Sequence, residues 1–127
     1  MKFNKIHHIA IICSDYKVSK EFYVDKLGLK VIREIYRKER DSYKLDLEIG
    51  NSQIELFSFP NAPKRPSYPE AQGLRHLAFE VDNIEETVEE LKQKGIETEP
   101  IRIDECTGRK FTFFEDPDKL PLELYEC

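Results

Sequence analysis

No stretch of this 127-residue chain approaches the ~20 consecutive apolar residues that a membrane-spanning helix needs. The opening segment, Met1-Lys2-Phe3-Asn4-Lys5, lacks the apolar run of a signal peptide. Cysteine is scarce. Cys13, Cys106 and Cys127 form no CxxC motif and cannot all pair within one chain, which reads as free thiols in a reducing cytoplasm. Basic charge is not in excess either: 20 Lys and Arg stand against 25 Asp and Glu, for a net charge of −5. Without a basic stripe, generic binding to a nucleic-acid backbone is not expected. What is present, 39% hydrophobic and 35% charged residues, is the composition of a globular domain with enough chain for a proper core.

The most informative feature is an internal repeat. His8 precedes Glu55 by 47 residues and His76 precedes Glu123 by the same interval (55 − 8 = 123 − 76), so the second pair lies 68 positions after the first (76 − 8 = 123 − 55). The surroundings repeat too. Ile6-His7-His8-Ile9-Ala10-Ile11 answers Leu74-Arg75-His76-Leu77-Ala78-Phe79, and Ile54-Glu55-Leu56-Phe57 answers Leu122-Glu123-Leu124-Tyr125. A period this long is not a solenoid unit, and it is too short for two independent domains. It indicates a duplicated supersecondary module.

Periodicity and turn chemistry give the same element order twice. A β-branched run over 5–12 is a strand, Ser14 and Asp15 supply N-cap chemistry, and Val18, Phe22 and Tyr23 recur at helical spacing until Gly28. Strands near 30–37, 43–49 and 53–59 follow, with Gly50-Asn51-Ser52 as a turn. The second half predicts a strand at 74–81 and a helix capped by Asp82 or Asn83. Ile84, Val88 and Leu91 of that helix point inward and Gly95 ends it. Strands near 97–103, 110–115 and 121–126 complete the half, with Asp116-Pro117-Asp118-Lys119 as a turn. The expected fold is α+β: two βαβββ modules, about 5–60 and 74–126, joined within one domain by a proline-rich linker over about 61–73.

Alternation along the first strand puts His8 with Ala10 and Ile12, and His7 with Ile9 and Ile11. The repeat selects His8, because Arg75 occupies the place of His7. Glu55 and Glu123 each sit between apolar neighbours, where a carboxylate either faces solvent or has a partner. Two imidazoles and two carboxylates at repeat-equivalent places suggest one metal site with a ligand pair from each copy. Such a set suits one divalent ion (Ni, Zn, Co, Mn or Fe), and the absence of cysteine argues against a purely structural zinc. Octahedral geometry leaves two positions for a hydroxy-carbonyl substrate, and Glu123 or Glu55 is placed to move a proton on the adjacent carbon.

With these segments in view, the chain resembles the vicinal oxygen chelate superfamily, and within it the glyoxalase I-like branch of lactoylglutathione lyase-related proteins. The resemblance covers residues 5–126. It is carried by His8-Ile9-Ala10-Ile11, Phe22-Tyr23, Leu27-Gly28-Leu29, Ile54-Glu55-Leu56, His76 through Asp82, Phe114 through Asp118, and Leu122-Glu123-Leu124. It implies a curved, half-barrel mixed sheet of the glyoxalase/bleomycin resistance/dioxygenase kind and metal ligands at His8, Glu55, His76 and Glu123. It also implies a lyase or isomerase activity on a small α-hydroxycarbonyl or 2-oxoaldehyde–thiol adduct. The same superfamily holds epimerases, thiol transferases, dioxygenases and non-enzymatic antibiotic-binding proteins.

The resemblance is incomplete at the substrate. The bacterial glyoxalase I pattern has a glutathione-holding arginine four residues after the first ligand and an asparagine four after the second. Here those places are Ile12 and Phe59. Lys64 and Arg65 in the linker, and Arg109 in the Thr107-Gly108-Arg109-Lys110 hairpin, are candidate contacts for an anionic substrate, against the simpler expectation of solvated charge. A homodimer is expected, with the four ligands drawn from one chain or from two.

Overall fold

Two successive runs of chain fold with the same order of elements. The computed structural model describes all of residues 1–127, which divide into the units Met1–Lys64 and Arg65–Cys127. The first unit contains β1 (His8–Cys13), α1 (Tyr16–Lys20), β2 (Lys30–Arg37), β3 (Ser42–Ile49) and β4 (Ser52–Ser58). The second contains β5 (Leu77–Val81), α2 (Ile84–Gln93), β6 (Arg102–Ile103), β7 (Lys110–Glu115) and β8 (Pro121–Glu126). Each makes one four-stranded mixed sheet, in the orders β1-β4-β3-β2 and β5-β8-β7-β6. In both sheets the first strand runs parallel to the last, and the remaining pairs are antiparallel. The α+β class and the doubled βαβββ order are as the sequence implies.

Strand alternation gives each sheet a helix-facing side and an opposite side. In the first unit Ile11, Cys13, Leu45, Leu47, Ile54 and Leu56 are buried together with Phe22 and Tyr23, and α1 lies against β4. In the second, Ile84, Leu91 and Ile96 are buried with Phe114, Leu122 and Leu124, and α2 lies against β8. Each such side chain contributes about 1.5–3 kcal/mol of transfer free energy, so the helix-facing sides carry most of the folding energy.

Helix starts and stops are set by local chemistry. Asp15 accepts from Val18 N at 3.2 Å and Asn83 accepts from Glu86 N at 3.0 Å, each capping its helix. At the end of α2, Gly95 adopts φ +79°. Its N–H donates to Lys92 O and Ile96 N donates to Leu91 O, closing a Schellman motif with buried Ile96 against Leu91.

Three expectations are corrected. α1 is one short helix that widens into π-helical turns over Glu21–Lys26; the wider turn brings Ser19, Phe22 and Tyr23 inward and leaves Val18 exposed. The strand expected over 97–103 shrinks to Arg102–Ile103, because Pro100 has no N–H for the ladder. Two bonds hold the irregular stretch to β7 instead, Glu99 N to Phe113 O at 2.9 Å and Thr112 Oγ1 to Glu99 O at 2.6 Å. The strand expected from 74 begins only at Leu77, leaving His76 just before β5. No helix is long and apolar enough to cross a membrane.

Candidate metal centre

The side of the first sheet away from α1 carries His8, Ala10 and Ile12 from β1, Gln53, Glu55 and Phe57 from β4, and Lys44 and Asp46 from β3. Ala10 pairs with Glu55 across the parallel β1–β4 ladder, and in the second unit Ala78 pairs with Glu123 across β5–β8. This explains the alanine in both His-x-Ala segments. A methyl group beside each glutamate leaves room for the carboxylate to reach across the ladder to the histidine two residues back. His8 Nε2 lies 3.3 Å from Glu55 Oε2, and His76 Nε2 lies 2.9 Å from Glu123 Oε2.

Both carboxylates are largely withdrawn from solvent, with side chains only 13% and 12% exposed. A carboxylate so withdrawn needs a cation or a donor, and the imidazole is the partner in each unit. His7, next in sequence, sits with its Nδ1 2.9 Å from His8 Nδ1. Each unit thus presents one ring nitrogen and one carboxylate oxygen, donors that divalent first-row ions accept. No group of three or more His, Cys, Asp or Glu side chains is arranged so that it could hold a metal ion; the predicted ligands come together as two pairs. The donor chemistry of each pair fits a divalent ion.

The two pairs have different surroundings, which sequence reading missed. Asp46 stands opposite Glu55 in the β3–β4 register, and its nearly buried carboxylate holds Lys44 Nζ at 2.6 Å and Arg33 Nε at 3.4 Å. Lys44 Nζ also lies 3.6 Å from Glu55 Oε1. The residue opposite Glu123 is Phe113, whose ring meets His76 edge-on with centroids 5.1 Å apart. One half-site is therefore ionic and the other aromatic. The signal was available: a two-residue turn at Gly50-Asn51 pairs Ile49 with Ser52, and counting back along β3 sets position 46 against 55.

The other candidates take defined places. Ile12 is exposed on the His8 side of β1. Phe59 stacks on Phe57, and the Arg37 guanidinium lies over both rings, 4.9 and 5.5 Å from their centroids. Arg65 is not a solvated linker charge: its Nε donates to Ser67 Oγ at 2.8 Å and an Nη to Arg75 O at 3.4 Å. Lys64 and Arg109 are exposed. The loop carrying Arg109 is closed on itself by Asp104 N donating to Arg109 O at 2.8 Å and Gly108 N to Asp104 O at 2.7 Å. The Cys106 N–H, followed by the Tyr125 hydroxyl, holds the Asp104 carboxyl below its ordinary range.

Comparison with known proteins places this geometry in a family. The chain is 65% identical over 127 residues to the uncharacterized protein YwkD of Bacillus subtilis (strain 168), covering 99% of each. The crystal structure of a glyoxalase family protein from Enterococcus faecalis superposes with a TM-score of 0.92 at 56% identity, covering 99% of this chain and 100% of that one. Lactoylglutathione lyase of Salmonella typhimurium is 29% identical over 97% of this chain and 93% of its own length. Mouse mitochondrial methylmalonyl-CoA epimerase is 30% identical over 75% of this chain and 56% of its own length. The family model described as Glyoxalase/Bleomycin resistance protein/Dioxygenase superfamily matches residues 5–124. A match of that extent, on a chain whose two halves repeat one module, makes this protein a member of the Glyoxalase/Bleomycin resistance protein/Dioxygenase superfamily.

Proposed function

We propose that this protein is a divalent-metal-dependent lyase or isomerase that transfers a proton on the carbon next to a carbonyl. Its substrate is an α-hydroxycarbonyl compound or a 2-oxoaldehyde–thiol adduct. The observation that carries the reading is the pair of register-equivalent His–Glu contacts, His8–Glu55 and His76–Glu123. These four side chains would hold one ion of Ni, Zn, Co, Mn or Fe, the two pairs together making one coordination set. When bound, the ion would polarise the substrate carbonyl and stabilise the negative charge that develops there.

The chain's own residues do the rest. Glu123 takes the C–H proton while the electron pair moves onto the carbonyl oxygen, then returns a proton to the neighbouring carbon. Phe113, opposite it in the ladder, keeps water from competing for that proton. Glu55 plays the matching part from the other half-site, oriented by His8 and Lys44. An epimerase working by the same proton transfer is the second reading, favoured by the likeness to mouse methylmalonyl-CoA epimerase. The protein is read as cytoplasmic, in keeping with three cysteines that form no disulfide. A homodimer completes the proposal. β2 is an unpaired edge with Val31, Ile32, Ile35 and Tyr36 exposed, the kind of strand that a second copy covers.

The test is metal analysis of protein purified without chelators, followed by assays of the Ni- and Zn-loaded forms with methylglyoxal and a panel of thiols including glutathione and bacillithiol. Bound metal and turnover that Glu123→Gln abolishes, with little change in stability, are expected. Failure to retain either ion after reconstitution overturns the metal reading. Metal binding with no turnover on any thiol adduct removes the lyase in favour of the epimerase.

A further inference from the structure

The linker that precedes β5 forms an open surface pocket of about 140 Å³ lined by Arg65, Pro66, Ala71, Gln72, Leu74 and Arg75, of which only the two arginines are partly buried. Its two cationic side chains converge on one residue. Arg65 Nε donates to Ser67 Oγ at 2.8 Å, Arg75 Nη1 donates to Ser67 O at 2.6 Å, and an Arg65 Nη reaches Arg75 O at 3.4 Å. The Arg75 guanidinium also lies 4.8 Å from the Tyr68 ring centroid. Both groups are partly buried and fixed by these contacts, so their remaining N–H donors are preorganised.

Nothing within the protein neutralises them. The lining contains no Asp or Glu, and neither arginine forms an ion pair, whereas Arg33 and Arg102 each have a carboxylate partner. In a chain with 25 acidic against 20 basic residues, two adjacent guanidinium groups without a carboxylate are an uncompensated repulsion. A doubly charged oxyanion removes it. Guanidinium forks match phosphate oxygens bidentately, and a cavity of about 150 Å³ holds a six-membered ring, so the space takes a five-atom phosphate group.

We propose that the Arg65–Arg75 pocket is a binding site for a phosphate-class dianion, separate in chemistry from the His–Glu pairs. Because Arg75 immediately precedes His76, an anion held there also fixes the chain that presents this histidine.

The test is titration of the purified protein with inorganic phosphate, followed by backbone amide NMR and by thermal unfolding. Saturable shifts are expected at Ser67, Gln72 and Arg75, with a midpoint temperature that rises with phosphate concentration. Arg65→Met and Arg75→Met should each weaken binding by about tenfold or more. Arg65→Lys, which keeps the charge but loses the planar fork, should weaken it by a smaller factor and covers the case in which the methionine variants fail to fold. Acetate should bind more weakly than phosphate. The proposal is overturned if sodium chloride at matched ionic strength reproduces the shifts, if acetate binds as well as phosphate, or if Arg65→Met and Arg65→Lys bind phosphate undiminished. Neither readout requires metal or turnover, so this result is independent of the proposed activity.

Discussion

Replacing Asp46 by Asn isolates the ionic half-site. Asp46 is 3% exposed, and its carboxylate lies 2.6 Å from Lys44 Nζ and 3.4 Å from Arg33 Nε. At 2.6 Å the Coulomb attraction is about 6 kcal/mol for an effective dielectric near 20, and desolvation of the carboxylate offsets much of it. Breaking a fully buried pair costs about 3–5 kcal/mol because the abandoned charge stays buried. Here Lys44 is only partly buried and keeps Glu55 at 3.6 Å, while the mostly exposed Arg33 contributes at most about 1 kcal/mol. The expected loss is therefore about 2–3 kcal/mol, a fall in midpoint temperature of roughly 5–10 °C. Urea unfolding should show a lower midpoint with an unchanged slope. Combined with Lys44→Met, the two losses should fall short of additivity by about 1–2 kcal/mol. A loss below about 0.5 kcal/mol for Asp46→Asn, or strict additivity of the pair, refutes the claim that this network supports the Glu55 side of the site.

Two further outcomes are expected. Asn83→Ala removes the acceptor for Glu86 N and should destabilise the protein by about 1 kcal/mol, read as a lower urea midpoint. Acid stability is the other. The Lys20 ammonium, and after it the Tyr16 hydroxyl, hold the Glu34 carboxyl below its ordinary 4.5. A depressed native pKa contributes stability that is complete above pH 4.5 and is lost as pH falls through the native value. Glu34 is more than a third exposed on its side chain, so the screened contribution is a fraction of about 1 kcal/mol. Glu34→Gln should lower stability near neutrality by that fraction and flatten the acid limb, the two stability–pH curves converging in acid below the native pKa of Glu34; an unchanged acid limb rules the contribution out.

The element order was legible because it was written twice. The repeat marked both helix stops at glycine and the hairpin at Gly50-Asn51, and it singled out His8, the histidine that the structure sets against Glu55. Features outside the repeat were not legible. The π-helical turns after α1 depend on how Phe22 and Tyr23 pack beneath the sheet, which helical periodicity alone misassigned to Val18. Pro100 was visible, but that it would dissolve most of a strand depended on Glu99 finding other partners on β7. The difference between the half-sites needed register, since Lys44, Asp46 and Phe113 acquire meaning only when they stand opposite a glutamate. Arg65 looked like surface charge because its partners, Ser67 and Arg75 O, are invisible to composition.

The division of each sheet into a helix-facing side and a chemical side has a consequence for how such a protein changes over time. The residues that stabilise the fold and those on the His–Glu side alternate along the same strands without sharing a face. Exposed positions such as Ile12 and Ile35 can therefore be rewritten at little thermodynamic penalty, while Leu45, Leu47, Ile54 and Leu56 keep the scaffold standing. Duplication adds a second freedom, because each module carries its own core and one half-site can acquire new neighbours while the other keeps its own. The ionic surroundings of Glu55 and the aromatic surroundings of Glu123 record such a divergence. A library confined to the outward positions of β1 should accordingly diversify ligand preference with few unfolded members, which makes this chain a practical starting point for altering specificity.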